Sequence, residues 1–319
     1  MKPDNRKLGG HRASIMTPEF SVLMALLVMC VIMTFASPYF LTFKNIFNVL
    51  RQFSLIAILA IGMGMIIITA GIDLSVGALV GLTACAGAWI ARAGASPELT
   101  LLVILGVGTL AGLCNGLLVT KVNLPPFIAT LGMMSIARGF SLLITMGSPI
   151  HYKHTWISVF GGSHIGVVPV SVLVMATIVT IGVIFAKYTV TGRNIYAVGN
   201  SEKAAKLSGI RVERIRIIVF TVTGFLAGIC GLILMGQLES SDAFYGNGYE
   251  MDVIAAAVIG GISLAGGVGN LIGIVVGAGL MGVLKNAFVL LAVPGYWQTV
   301  AVGVVIIGAV SIDSIRTHK

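Results

Sequence analysis

Ile217-Ile-Val-Phe-Thr-Val-Thr-Gly224-Phe-Leu-Ala-Gly228-Ile-Cys230-Gly-Leu-Ile-Leu-Met235 is an apolar run without a single charge. Roughly 20 such residues carry an α-helix across about 30 Å of hydrocarbon, so residues 215–236 read as a membrane span. Gly224 and Gly228 lie four apart on one helix face and let a neighbouring helix approach closely. Immediately upstream the composition inverts: residues 187–216 hold seven of the chain's 20 basic residues. A basic loop of this length between apolar spans marks the cytoplasmic face by the positive-inside rule, and it is long enough to fold and to dock a partner.

The rest of the chain repeats the apolar pattern. Of 319 residues 57% are hydrophobic and 10% charged, whereas soluble domains carry roughly a quarter charged residues. Mean hydropathy is +1.03. Period-2 alternation is absent, so the spanning elements are helices and a β-barrel is excluded. The 41 glycines include small-residue stripes at Gly77-x3-Gly81, Gly108-x3-Gly112-x3-Gly116, Gly224-x3-Gly228 and Gly269-x3-Gly273-x3-Gly277, each suited to close helix packing. The expected fold is all-α, a polytopic membrane helix bundle with no soluble domain attached. A net charge of +9 belongs to topology and not to nucleic acid, because no polar domain exists to present it. Cys30, Cys85, Cys114 and Cys230 lie in apolar runs as packing residues, without metal-like or disulfide spacing. Lys2, Arg6, Lys7 and Arg12 precede an apolar run from Phe20 to Ala36 without a cleavage motif, which reads as an uncleaved first span with a cytoplasmic N-terminus.

About ten crossings are expected, near 20–37, 54–70, 74–92, 99–119, 125–146, 166–186, 215–236, 251–264, 268–291 and 296–312. Starting inside, this count makes 1–19 a cytoplasmic tail, 20–313 one transmembrane domain and 314–319 a second cytoplasmic tail. It also puts 187–216 inside and the acidic loop of Glu239, Asp242 and Glu250 outside. Lys44 and Arg51 break the pattern, and an amphipathic interfacial helix over 43–53 accounts for them. The segment 251–264 is too short for a straight crossing and reads as a half-span or re-entrant piece.

Two similar stretches interrupt apolar helices: Gly71-Ile-Asp73-Leu-Ser75-Val-Gly77 and Gly261-Ile-Ser263-Leu-Ala-Gly-Gly267. Polar breaks in corresponding positions of two halves point to a transport pathway. Asp73, Ser75, Asn115, Arg138 and Ser263 are the candidate pathway or helix-break residues. Ionisable groups inside spans are costly and therefore informative. Arg138 either lines a cavity or bonds the free carbonyls of a broken helix; the latter is favoured. Asp73 is expected to cap the following helix through the Ser75 and Val76 amides, Asp252 to lie at the interface, and Lys285 to snorkel to the head groups.

No reaction chemistry is visible. Walker A needs Gly-x4-Gly-Lys-Ser/Thr, and no Gly-Lys pair occurs, so nucleotide is not bound by that route. His-Glu-x-x-His and Gly-x-Ser-x-Gly are also missing. All five histidines (His11, His151, His154, His164 and His318) fall in loops or tails, where none can serve a buried serine. The basic loop contains a short helix: Asn200 or Ser201 caps it, Glu202 complements its N-terminus and Gly209 stops it, with Ile210 packing back on Ala205. About two turns do not persist alone in water. This helix needs a surface to pack on.

At this loop the sequence resembles a known family. Glu202-Lys203-Ala204-Ala205-x3-Gly209 is similar, with one residue of displacement, to the Glu-Ala-Ala-x3-Gly loop by which permease subunits of bacterial ABC importers engage their ATPases. The Gly192-Arg193-Asn194-Ile-Tyr-Ala-Val-Gly199-Asn200 and Leu207-Ser-Gly-Ile210 segments resemble the ribose-type sugar permeases. So do Gly71–Gly77, Pro126-Phe-Ile-Ala-Thr-Leu131, Arg138-Gly139, Gly248–Ala256 and Gly260–Gly267. The resemblance runs from about residue 40 to the C-terminus, and Lys203, where Ala is commoner, is its departure. It implies a permease of the cytoplasmic (inner) membrane that pairs as a homodimer or with a similar permease. Gly192, Arg193, Asn200, Glu202, Ala204, Ala205 and Gly209 would couple it to separate ATPase subunits that use ATP and Mg²⁺, the chain itself holding no cofactor. A periplasmic or lipid-anchored binding protein would deliver a monosaccharide. On residues alone, an ion-coupled secondary transporter is the alternative.

Overall fold

The computed structural model describes residues 18–152 and 155–317. The basic tail before Pro18, His154, and the terminal His318 and Lys319 lie outside the described residues. Helices α1 (Pro18–Ala36), α2 (Phe43–Ile68), α3 (Val76–Arg92), α4 (Pro97–Lys121) and α5 (Pro126–Thr145) form the first half of the bundle. A short α6 (Thr155–Gly161) leads to α7 (Val170–Tyr188), and α8 (Val190–Asn200) and α9 (Glu202–Leu207) make up the basic loop. The second half is α10 (Val212–Leu238), α11 (Tyr249–Ile259), α12 (Leu271–Leu290) and α13 (Gly295–Thr317). The ten expected crossings fall on α1 to α5, α7 and α10 to α13. Seven of these are long and apolar enough to span by themselves, α3 and the Gly295–Ser311 part of α13 are shorter apolar stretches, and α11 has 11 residues.

The chain is a membrane protein built around one buried axis. From Ser54 to Ile68 every residue of α2 is buried, as expected for a helix that is apolar all round and enclosed by others. Helices α7, α10, α11 and α12 pack on it, while α1 and α7 keep most of their apolar surface outward. The stretch 43–53 is not a separate interfacial helix. It forms the first turns of α2, started by Thr42, whose hydroxyl accepts from the Asn45 amide at 3.4 Å. The half-buried Arg51 is held by His164 in the loop before α7.

Among the described residues, four two-residue strands occur outside the helices. Ile150–His151 (β1) pairs antiparallel with Ser240–Ser241 (β4), and His164–Ile165 (β2) with Val168–Pro169 (β3). None of them spans.

The glycine stripes divide into two uses. On the α4–α10 seam, a Cβ on Gly224 would overlap the Gly108 carbonyl oxygen, and one on Gly112 would overlap that of Phe220. Gly273 and Gly277 admit the carbonyls of Gly260 and Ala256 in the same way, joining α12 to α11. Gly269 is not on that helix face: it precedes α12 with φ +150°. Gly77 and Gly81 do not meet the backbone of another helix. They face the non-helical backbone of Gly246, Tyr245 and Ala243, because the link from β4 to α11 descends alongside α3. We expect Gly224→Ala to destabilise the detergent-solubilised protein by about 1–3 kcal/mol, the usual cost of overpacking. Gly106→Ala, on a part of α4 with nothing within 4 Å, should leave the thermal midpoint unchanged or raise it slightly, because alanine favours the helix.

Candidate functional site

The basic loop folds onto the end of the bundle. Thr189 caps α8 by accepting from the Gly192 amide at 2.9 Å. Gly192 fits under the Phe185 and Ala186 carbonyls of α7, and Ile195 and Val198 are buried beside it. Arg193 points to solvent. One helical face of α8 is therefore welded to the membrane domain.

Helix α9 is capped by Ser201 and not by Asn200, which is the last residue of α8: the Ser201 hydroxyl accepts from the Ala204 amide at 3.2 Å. Gly209 has φ +79°. Its amide donates to the Lys206 carbonyl and that of Ile210 to the Ala205 carbonyl, both at 3.0 Å, so the helix stops in a Schellman turn. Glu202 bridges Lys206 at 2.7 Å and Arg216 of α10 at 2.8 Å. The Lys206 and Arg216 contacts, Lys206 first, hold its carboxyl below the ordinary glutamate range. A depressed folded-state pKa means that the tether is present at neutral pH and is lost as pH falls through that lowered value. Ala205 is buried against the bundle, whereas Lys203, Ala204 and Leu207 face outward, Leu207 with 83% of its surface exposed. Sequence reading passed over Leu207. An apolar residue among charges at the end of a capped helix was the available signal.

A second polar group lies at membrane depth. Arg138 on α5 donates to the carbonyls of Ala243 and Tyr245 at 2.6 and 2.9 Å, through the space left by Gly81. It therefore satisfies the non-helical segment between β4 and α11, the structural reading favoured from sequence. The Glu250 carboxylate is seated against Gly77. Asp73, Ser75 and Asn115 are fully buried and form one chain of hydrogen bonds. Asp73 Oδ1 accepts from the Ser75 amide at 2.8 Å and from its hydroxyl at 2.6 Å, and that hydroxyl accepts from Asn115 Nδ2 at 2.9 Å. Asp73 thus tightens the turn before α3 and does not reach the Val76 amide. Thr130 of α5, which sequence reading missed, accepts from the Leu74 amide at 3.1 Å. Ser263 lies apart, in the turn after α11, where its carbonyl accepts from the Gly266 amide at 3.1 Å.

Two expectations are corrected. Asp252 is not at the interface but 2% exposed, and Lys285 does not snorkel; the two form an ion pair between α11 and α12. A carboxylate inside a bundle is tolerated only with a partner, and no sequence pattern announces that partner 33 positions away.

The two helix breaks meet each other and the basic loop. The Gly267 amide donates to the Ile68 carbonyl at 2.8 Å, Gly266 packs on Ala70, and Gly199 at the end of α8 fits against both Ile68 and Gly267. The end of α8 is thus in contact with the end of α2, just before the first break, and with the second break.

A bundle of apolar helices with polar breaks at depth, and a folded basic loop resting on those breaks, defines a polytopic membrane transport protein. The family model described as the branched-chain amino acid transport system permease component matches residues 45–310. The ribose import permease protein RbsC of Escherichia coli K12 is 41% identical over 300 residues, covering 93% of this chain and 94% of that one. Its counterpart in Bacillus subtilis 168 is 38% identical over 91% of each. The galactose/methyl galactoside import permease protein MglC of E. coli K12 is 33% identical over 93% and 94%. No solved structure matches the chain. The chain belongs to this permease family of ABC importers and is a transport subunit rather than an enzyme.

Lys285→Met strands a buried carboxylate and is expected to cost about 3–5 kcal/mol, whereas Asp252→Leu combined with Lys285→Met should regain most of that loss. Thermal unfolding in detergent reads both.

Proposed function

We propose that this permease translocates a monosaccharide, a ribose-like pentose or a hexose, across the cytoplasmic membrane. The names and high coverage of the ribose and galactose relatives support a sugar as cargo. Basic residues concentrated in 187–216 favour a cytoplasmic position for that loop, and an even number of crossings then leaves both termini in the cytoplasm. A homodimer, or a pair with a similar permease, would supply the second half of the pathway. A periplasmic or lipid-anchored binding protein would deliver the sugar.

The observation that carries the coupling reading is the exposed tip of α9 on an α8 that touches both helix breaks. Ala204 and Leu207 offer a small apolar knob to a cytoplasmic ATPase subunit, which binds the ATP and Mg²⁺. Glu202 tethers the knob to α10 through Arg216, so a push from the ATPase reaches α10 directly and the breaks through Gly199. The permease contributes different contacts to inward-open and outward-open states rather than bond chemistry. Arg193 and Asn200 are the remaining polar groups of α8 on this face.

Glu202→Arg sets a third cation between Lys206 and Arg216, and Gly209→Val forces a β-branched residue into a left-handed turn. Leu207→Asp removes the knob and leaves the fold alone. Each variant is expected to insert normally and to lose at least about tenfold of ATP-driven sugar uptake, roughly the worth of 1.4 kcal/mol, in proteoliposomes holding the ATPase and binding protein. Wild-type uptake in these variants would overturn the coupling role. Uptake driven by a Na⁺ or H⁺ gradient without the ATPase would overturn the importer mechanism.

A further inference from the structure

The clefts beside the first turns of α10 are not used by the coupling reading. One of about 610 Å³ opens between α10 and the end of α4, where Lys121 and Lys206 form part of its wall. The other, about 340 Å³, opens between α10 and α8. Ile210, Arg211, Arg214 and Ile218 line both. Arg211, Arg214 and Ile218 are spaced i, i+3, i+7 and share one face of the helix. Seven residues further along, Phe225 is exposed on the bundle's surface.

Charge bookkeeping singles out the two arginines. Glu202 is taken by Lys206 and Arg216, and Glu213 by Lys121 at 2.5 Å. Among the described residues Arg211 and Arg214 have no acidic partner and are exposed. Arg211 also begins α10 without any side-chain cap hydrogen bond, so the positive end of a 27-residue helix adds to the field of the two guanidinium groups.

We propose that this face binds one anionic phospholipid, its phosphodiester between Arg211 and Arg214 and its acyl chains along Ile217, Ile218 and Phe225. Guanidinium groups match phosphate oxygens in a bidentate manner. The apolar floor distinguishes the site from one for free phosphate, which has nothing to bury there. A soluble protein partner is a poor fit as well, since the floor continues the outward, lipid-facing surface of a span. The site rests on the proposed cytoplasmic placement of 187–216, where the membrane leaflet carries anionic lipid.

The test uses the full-length protein in detergent, without the ATPase, and native mass spectrometry with dioleoyl phosphatidylglycerol. One saturable phosphatidylglycerol is expected, with dioleoyl phosphatidylcholine binding far less. Each basic residue at a lipid surface is worth about fivefold in binding, so R211Q combined with R214Q should weaken phosphatidylglycerol by roughly 25-fold. R211K with R214K keeps the charge but loses the bidentate geometry, so its affinity should fall between those of the wild type and the double glutamine variant. Lys44→Gln, which removes a positive charge at the opposite end of the bundle, should have no effect. Equal binding of the two lipids, or unchanged affinity in the double glutamine variant, would overturn the site. So would equally tight binding of inorganic phosphate. Because the readout contains neither ATP nor sugar, its failure is separate from failure of the coupling reading.

Discussion

Every backbone amide and carbonyl in a bilayer core must find a partner inside the protein, since hydrocarbon offers none. Most of this chain meets that demand with helices. The link between β4 and α11 does not, and it descends along α3 with carbonyls that no helix satisfies. Arg138 takes two of them, and Gly77 and Gly81 make the room. A positive charge that is expensive at depth thus does the work of two missing helical hydrogen bonds, and α11 is able to start halfway through the bundle.

The same constraint shapes the other breaks. The turn before α3 is closed by Asp73, Ser75, Asn115 and Thr130, and the turn after α11 donates a backbone amide to the end of α2. Helical continuity is given up where polar side chains or a facing backbone replace it. The breaks consequently cluster instead of being scattered, and the basic loop sits on the cluster. A transporter that moves between two packings benefits from this arrangement, because its weak points in helical hydrogen bonding adjoin the element that would receive the push.

Much of this was legible from the sequence. The apolar runs, the two Gly-Ile-polar interruptions and the capped helix between Ser201 and Gly209 depend on residues close in the chain, and local chemistry is what a sequence displays. Glu202 and Gly209 could be singled out for that reason. The cap residue was ambiguous because Asn200 and Ser201 are both good caps; the chain's turn out of α8 decides it. The segment 43–53 misled because two positive charges suggest an interface, whereas in the structure Lys44 is exposed and Arg51 half-buried on the first turns of a helix whose remainder is the buried axis.

The sequence by itself determined that this chain lives in a bilayer, that helices cross it, where they break and which loop is folded, since hydropathy, glycine spacing and capping are short-range properties. Tertiary structure alone decided the partners of the buried charges. Arg138 serves carbonyls 105 and 107 residues away, Asp252 finds Lys285, and Gly199 closes on Ile68 and Gly267. Those pairings depend on how helices pack, and packing sums many weak contacts over distant segments that no local pattern encodes.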